Sequence, residues 1–292
     1  MRLRQWPGHV LLISVLIAVA AVPRVAQGQE PSVRKDVVYG EVDGQKLLLD
    51  IYPATKGAGA RPALLLIHGG GWSGGNKGAY AGVAPLFTRE GYTVISVGYR
   101  LAPRYHYPAQ VDDVQRAVRW VRAHANELSI DPERIGALGH SAGGHLVQML
   151  GVRDTRENSD PKLAHYSSRV KCVVNVFGPT DLTSTVFPNV TNGILHNFLG
   201  KTRAQDPQVY RDASPITFVG KSSAPTLFCH GTEDPLVPLS QSVLCMEALR
   251  RAGVEAKIVV VEGAGHGWAP DSPGGVQVHQ ATLEFLRQHL QP

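Results

Sequence analysis

Repeats, low-complexity tracts, long charge runs and any acidic surplus are all missing from this 292-residue chain. Their absence argues against a solenoid, a disordered tail protein or a nucleic-acid binder built on a basic stretch. Cysteine is scarce as well, with Cys172, Cys229 and Cys245 the only three. Three thiols allow at most one disulfide, so cross-links do not frame the fold, and no metal-ligand spacing is present. Cys172 in "VKCVVNVFG" and Cys229 in "PTLFCHG" lie in apolar runs, which predicts buried free thiols. Hydrophobic residues make up 43% and charged residues 18%, the proportions of a globular protein with a substantial core.

The one long apolar run, "VLLISVLIAVAAV" from Val10 to Val22, stands at the start. Arg2 and Arg4 precede it, and the small residues Ala26 and Gly28 follow. Basic, apolar and small in that order is the pattern of a secretory signal. The alternative, a membrane anchor, needs roughly 20 apolar residues. Residues 1–28 are therefore expected to be a cleaved signal peptide. Residues 29–292 are expected to be one domain, secreted or periplasmic and free of the membrane. The formal charge of +5 falls to about +2 without the three arginines of that segment, which makes no case for nucleic acid.

Two patterns alternate along the rest. Short runs rich in Val, Ile and Leu, such as "KLLLDIY", "PALLLIHG", "YTVISVGY", "RIGALGH" and "AKIVVVEG", predict buried strands bounded by Gly and Pro. Helical periodicity lies between them, clearest in "PAQVDDVQRAVRWVRAHANEL", where Val111, Val114, Val118, Val121 and Leu128 mark one apolar face. "SVLCMEALRRAG", stopped by Gly253, and "QATLEFLRQHL" behave alike. Alternation of this kind predicts an α/β fold, a doubly wound and mostly parallel sheet of about eight strands. Residues 183–221 break the rhythm and read either as a short lid-like insertion over a site or as surface loop.

"GHSAGG" at 139–144 then acquires a mechanical meaning. Gly139, Ser141 and Gly143 form the Gly-x-Ser-x-Gly elbow, which turns a strand sharply into a helix and lifts the serine to the carboxyl edge of the sheet. Serine needs a base to take its proton and an acid to orient that base. His266, in the glycine-flanked "GAGHGW" after a strand, is the candidate base. His140 and His145 are too near the serine along the chain, and His230 reads as a strand-end residue. Asp234 in "HGTEDPLVP" is the favoured acid over Glu233, with Asp181 as the second candidate. "HGGGW" at 68–72 offers backbone donors for a developing oxyanion. Gly70 and Gly71 with the N–H of Ala142 are the candidates, Trp72 N–H is another, and His68 braces the loop. Trp72, Trp268, Phe187 and Phe198 are candidate pocket aromatics, with packing the competing role. Asp112 and Asp113 are expected to cap or orient their helix.

Together "HGGGW", "YRLAPRYHYPAQVDDVQRAVRWV", "GHSAGG", "HGTEDPLVP" and "GAGHGW" resemble the α/β-hydrolase superfamily over about residues 35 to 290. Within it they are similar to bacterial esterases related to hormone-sensitive lipase, and particularly to the BD-FAE group of acetyl and feruloyl carbohydrate esterases. The resemblance implies the α/β-hydrolase fold, with nucleophile, acid, base and oxyanion loop on Ser141, Asp234, His266 and "HGGGW". The N-terminal helical cap usual near hormone-sensitive lipase is not expected here, since the first 34 residues read mostly as signal.

The resulting expectation is a secreted serine esterase working through an acyl-enzyme on short acyl or feruloyl esters of carbohydrates. Its partner is a small-molecule or polysaccharide ester, and it needs no metal or organic cofactor. The alternatives are a small serine amidase, peptidase or arylformamidase on the same fold, and a binding protein that keeps the scaffold without chemistry. For the esterase, activity should rise with pH as His266 becomes neutral and then level off.

Overall fold

A computed structural model describes residues 32–291, so the expected signal segment lies outside the described residues. The strands are β1 (Arg34–Val42), β2 (Gln45–Tyr52), β3 (Arg61–Ile67), β4 (Thr93–Val97), β5 (Ile130–His140), β6 (Cys172–Val176), β7 (Thr226–Gly231) and β8 (Ala256–Val261). The helices are α1 (Ala84–Thr88), α2 (Ala109–Ala123), α3 (Ala125–Leu128), α4 (Ala142–Val152), α5 (Asn189–Leu199), α6 (Pro207–Asp212), α7 (Ser240–Arg251) and α8 (Pro273–Leu290). The strands form one sheet in the order β1-β2-β4-β3-β5-β6-β7-β8. From β4 to β8 every pairing is parallel, while the β1–β2 hairpin joins β4 antiparallel.

Successive strand residues point to opposite faces, and both faces of the central strands are covered, which is why those strands read as apolar throughout. Leu65, Ile67, Ile95 and Val97 join one core with Val111, Val114, Val118 and Val121 of α2 and Leu146 and Leu150 of α4. Leu64, Leu66, Val94 and Val174 join the other with Phe87 of α1 and Phe285, Leu286 and Leu290 of α8. Phe228 of β7 packs with Cys245, Met246 and Leu249 of α7. All three cysteines are buried and unpaired, and burial pushes the thiols of Cys229 and Cys245 up to about 12.

The strand order reverses between β3 and β5, because the chain runs outward from β3 to β4 and then returns to β3's other side. That reversal opens a crevice at the carboxyl ends of β3 and β5, where doubly wound sheets bind ligands. "HGGGW" leaves β3 there, and "GHSAGG" joins β5 to α4 at the same place.

Asp112 and Asp113 do not cap α2, whose N-cap has no side-chain hydrogen bond. Asp113 is buried and grips Arg100, accepting from the Arg100 backbone N–H and Nη2 at 2.8 Å each. Asp112 instead holds Arg156, Nε to Oδ1 at 2.8 Å. These pairs fasten α2 to the "YRLAP" turn and to the chain after α4.

Candidate active site

Ser141 lies at the β5–α4 junction with φ +54° and ψ −120°, a backbone state that a non-glycine residue holds only when its surroundings impose it. Its N–H donates to the Val176 carbonyl at 2.9 Å, and its carbonyl accepts the first helical bond, from His145 N–H, at 3.0 Å. The glycines on either side have no room for a side chain. A Cβ on Gly139 would collide with the backbone of Gly143, and one on Gly143 would collide with the carbonyls of Ile67 and His68. α4 is thereby seated against the end of β3.

Three distant side chains meet here. Ser141 Oγ is 2.9 Å from His266 Nε2, and His266 Nδ1 is 2.7 Å from Asp234 Oδ2. The carboxylate accepts the Nδ1 proton, which leaves Nε2 as the acceptor for the serine hydroxyl. Asp234 has a fully buried side chain. Its Oδ1 accepts the amides of Leu236 and Val237 at 2.8 and 2.9 Å, and His230 Nε2 stands 3.4 Å from Oδ2. Burial alone would raise the carboxyl. The close approach of His230 and the hydrogen bonds from His266 and the two amides outweigh it and hold Asp234 well below the usual carboxylate range. His230 in turn donates to the Val237 carbonyl at 2.8 Å and meets Ser242 Oγ at 2.7 Å, so this strand-end histidine supports the acid.

Asp181 is not part of this chain: its Oδ1 accepts from the Thr183 N–H at 3.0 Å and the Thr183 hydroxyl at 2.5 Å. Glu233 is exposed. Phe177, with φ +43°, packs its ring 4.6 Å from the His266 imidazole, and Trp268 meets Phe177 edge-on at 5.3 Å.

The glycine loop is wound left-handed at Gly70, Gly71 and Trp72, with φ of +112°, +58° and +57°. A Cβ on Gly69 would lie 3.3 Å from Ser141 Cβ, so the loop runs directly against the serine. The Gly70 carbonyl is held by the N–H groups of Ser73 and Gly74 at 3.1 and 2.9 Å. Among the described residues no backbone group accepts from the amides of Gly70, Gly71 or Ala142, which leaves these donors available. His68 stacks on Tyr99 at 4.2 Å and donates through Nδ1 to the Gly69 carbonyl at 2.8 Å, bracing the loop.

Trp72 corrects the expectation that it lines an open pocket. It is 3% exposed, stacks on Phe198 at 4.1 Å and donates its indole N–H to His145. Phe187 and Phe198 are buried too, so packing is their role. Residues 183–221 hold α5 and α6, and α5 comes down on the glycine loop: a Cβ on Gly71 would lie 3.0 Å from Ile194 Cγ2. A cleft of about 670 Å³ lies beside the triad. His68, Gly75, Tyr99, Arg104 and Tyr105 are among its lining residues, and none of Ser141, Asp234 and His266 lines it.

His140 and His145 both turn out to have structural partners close to the serine, and neither touches its hydroxyl. Their place in the sequence, one and four residues from Ser141, argued against a role as its base, and it is His266 that meets the hydroxyl. Their place gave no sign of the contacts they make with Tyr80 and Trp72.

The sequence model of a family described as BD-FAE matches residues 49–249. The probable carboxylic ester hydrolase LipM of Mycobacterium tuberculosis (strain ATCC 25618 / H37Rv) is 32% identical over 74% of this chain and 51% of its own length. This chain thus spans about half of that relative. Among solved structures, a truncated carbohydrate esterase from gut microbiota superposes with a TM-score of 0.78 and 30% identity, covering 91% of this chain and 99% of the other. Esterase 2 of Thermogutta terrifontis, phosphonylated by sarin, gives a TM-score of 0.78 at 27% identity, covering 90% and 98%.

Proposed function

The chain belongs to the BD-FAE family, and from that membership we propose that it is a carboxylic ester hydrolase working through an acyl-enzyme on Ser141. The observation that carries this reading is the unbroken line of hydrogen bonds from Ser141 Oγ through His266 to Asp234. As Ser141 Oγ bonds to the ester carbonyl carbon, His266 Nε2 takes its proton. That proton then goes to the departing alcohol oxygen. Water attacks the acyl-enzyme in the second half, giving its proton to the same nitrogen, and Ser141 recovers it as the acid leaves. Asp234 keeps the imidazole in the required tautomer and balances the charge it gains. The amides of Gly70, Gly71 and Ala142 receive the carbonyl oxygen as it becomes negative.

We place the enzyme outside the cytoplasm, secreted or periplasmic, acting on short acyl or feruloyl esters of carbohydrates. The basic, apolar and small order of its first 28 residues and the likeness to a carbohydrate esterase support this. The phosphonylated relative suggests the first experiment, labelling with a fluorophosphonate probe. Labelling should vanish in Ser141→Ala; labelling that survives, or none of the folded wild type, refutes the serine mechanism. A screen of short, long and aromatic acyl esters beside acetylated and feruloylated xylan tests the substrate class. Faster cleavage of aminoacyl p-nitroanilides or N-formylkynurenine than of p-nitrophenyl acetate would make it an amidase instead.

A further inference from the structure

One imidazole nitrogen beside Ser141 has no partner among the described residues, and its chemical character follows from its neighbours. Tyr80, buried at 4% exposure, places its hydroxyl 2.9 Å from the Ile67 carbonyl and 2.6 Å from His140 Nδ1. A phenol has a single proton and a carbonyl can only accept. Both short contacts are bonding only if Tyr80 donates to Ile67 and His140 Nδ1–H donates to the Tyr80 oxygen. The proton of His140 therefore sits on Nδ1, and Nε2 carries a lone pair.

That lone pair is unclaimed. Among the described residues nothing bonds His140 Nε2, and the residue, at the carboxyl end of β5, is half-buried. The ring stands against Phe177 at 5.7 Å between centroids, and Phe177 is the ring that backs His266 at 4.6 Å. His140 is thus on the same wall as the proposed base and is covalently adjacent to the proposed nucleophile. Burial, and then the nearby charge of His266, pull its imidazole down to about 4, so it is uncharged at neutral pH. A fixed, neutral acceptor at this position suits a hydrogen-bond donor and repels another lone pair.

We propose that His140 Nε2 is a specificity-determining acceptor for a free hydroxyl next to the ester being cleaved, so that partly acylated polyols and sugars are selected over alkylated or fully acylated ones. The inference rests on Ser141 being the ester nucleophile. Tyr80 acts through His140 as a positioning residue that keeps the lone pair facing the substrate.

The test uses the full-length protein and two substrates, a monoacetylated methyl xyloside with a free hydroxyl beside the ester and the same compound O-methylated at that hydroxyl. In the wild type kcat/KM should favour the free hydroxyl about three- to tenfold, the worth of one neutral hydrogen bond. His140→Phe should bring the ratio to about one, with the change mainly in KM. A purely structural role would lower both substrates and leave the ratio as it was, which overturns the inference. Tyr80→Phe, which keeps the imidazole but frees its tautomer, should move the ratio toward one. It provides the reading if His140→Phe does not fold, and an unchanged ratio there also counts against the inference. Wild-type turnover without preference sinks the inference alone. Inactivity on both compounds and on p-nitrophenyl acetate sinks the ester reading together with it.

Discussion

Trp72 donates its indole N–H to His145 Nδ1 across 3.2 Å, tying the glycine loop to the helix that begins at the serine. The other ring nitrogen of His145 donates to the Ala213 carbonyl at 2.7 Å, in the segment that follows α6. One fully buried imidazole thus joins three parts of the chain that surround the site. Replacing it by Phe keeps the ring's bulk but strands the indole N–H and the carbonyl, each loss costing about 1–3 kcal/mol. His145→Phe should lower the melting temperature by about 5 °C or more. It should also reduce kcat about tenfold with little change in KM, because a slight drift of the loop donors weakens stabilisation of the oxyanion more than binding. Unchanged melting and kcat would show that the bridge positions nothing.

Asp234 and Asp181 offer a sharper contrast. Asn at 234 can present an amide N–H to His266 Nδ1, which selects the tautomer with the proton on Nε2 and blocks transfer from Ser141. Asp234→Asn should lower kcat by about three to four powers of ten. Asp181→Asn should leave it within about twofold, since among the described residues that carboxylate bonds only Thr183. A large loss from Asp181→Asn with an active Asp234→Asn would reverse the assignment.

Acid should unfold the protein partly through His145. Burial pulls its imidazole from the ordinary 6.5 down to about 4, the hydrogen bond to Ala213 opposing only in part. Between those two values the unfolded chain holds the extra proton, so acid favours unfolding. The stability from keeping this ring neutral is complete above about pH 6.5 and is lost as the pH falls to about 4, roughly 3 kcal/mol in all. Asp234, whose carboxyl is depressed, loses its share only at more acidic pH. Urea midpoints should therefore fall between pH 7 and pH 4.5, and His145→Gln should flatten part of that fall. A variant curve parallel to the wild type would show that His145 does not titrate in this range.

Most of the sheet was legible because β2 to β7 are largely buried on both faces, and the edge strand β8, though Lys257 and Val260 are exposed, still reads as a short apolar run. β1 was not, since it is an edge strand with Arg34, Lys35, Asp36, Val38 and Glu41 exposed. Its one local signal is the pair Asp43 and Gly44, both with positive φ, in the tight turn to β2. The elbow and the Ser, Asp, His order were legible because strand ends impose where such residues can meet. Asp234 was favoured over Asp181 from the proline turn of "DPLVP", and the structure puts Asp234 against His266, while Asp181 is engaged by its neighbouring threonine. Composition could not tell that Trp72 faces inward, as an aromatic beside a glycine loop suits a pocket and a core equally well.

Two glycines with opposite surroundings test whether the elbow is held by steric fit. Gly143 sits where an added methyl group would enter the Ile67 and His68 carbonyls, both of them backbone that cannot yield without moving β3. Gly193, on the exposed face of α5, has nothing within 4 Å of the same position and an ordinary helical conformation. Gly143→Ala should destabilise by about 3 kcal/mol or more, as overpacking against rigid neighbours does. It should also abolish turnover, because relief of the clash must shift the backbone that holds Ser141 at φ +54°. Gly193→Ala should raise stability by up to about 1 kcal/mol, since alanine loses less entropy in a helix. Calorimetry of the two variants decides the matter: if Gly143→Ala melts like the wild type, the close seating of α4 on β3 is not what keeps the serine strained.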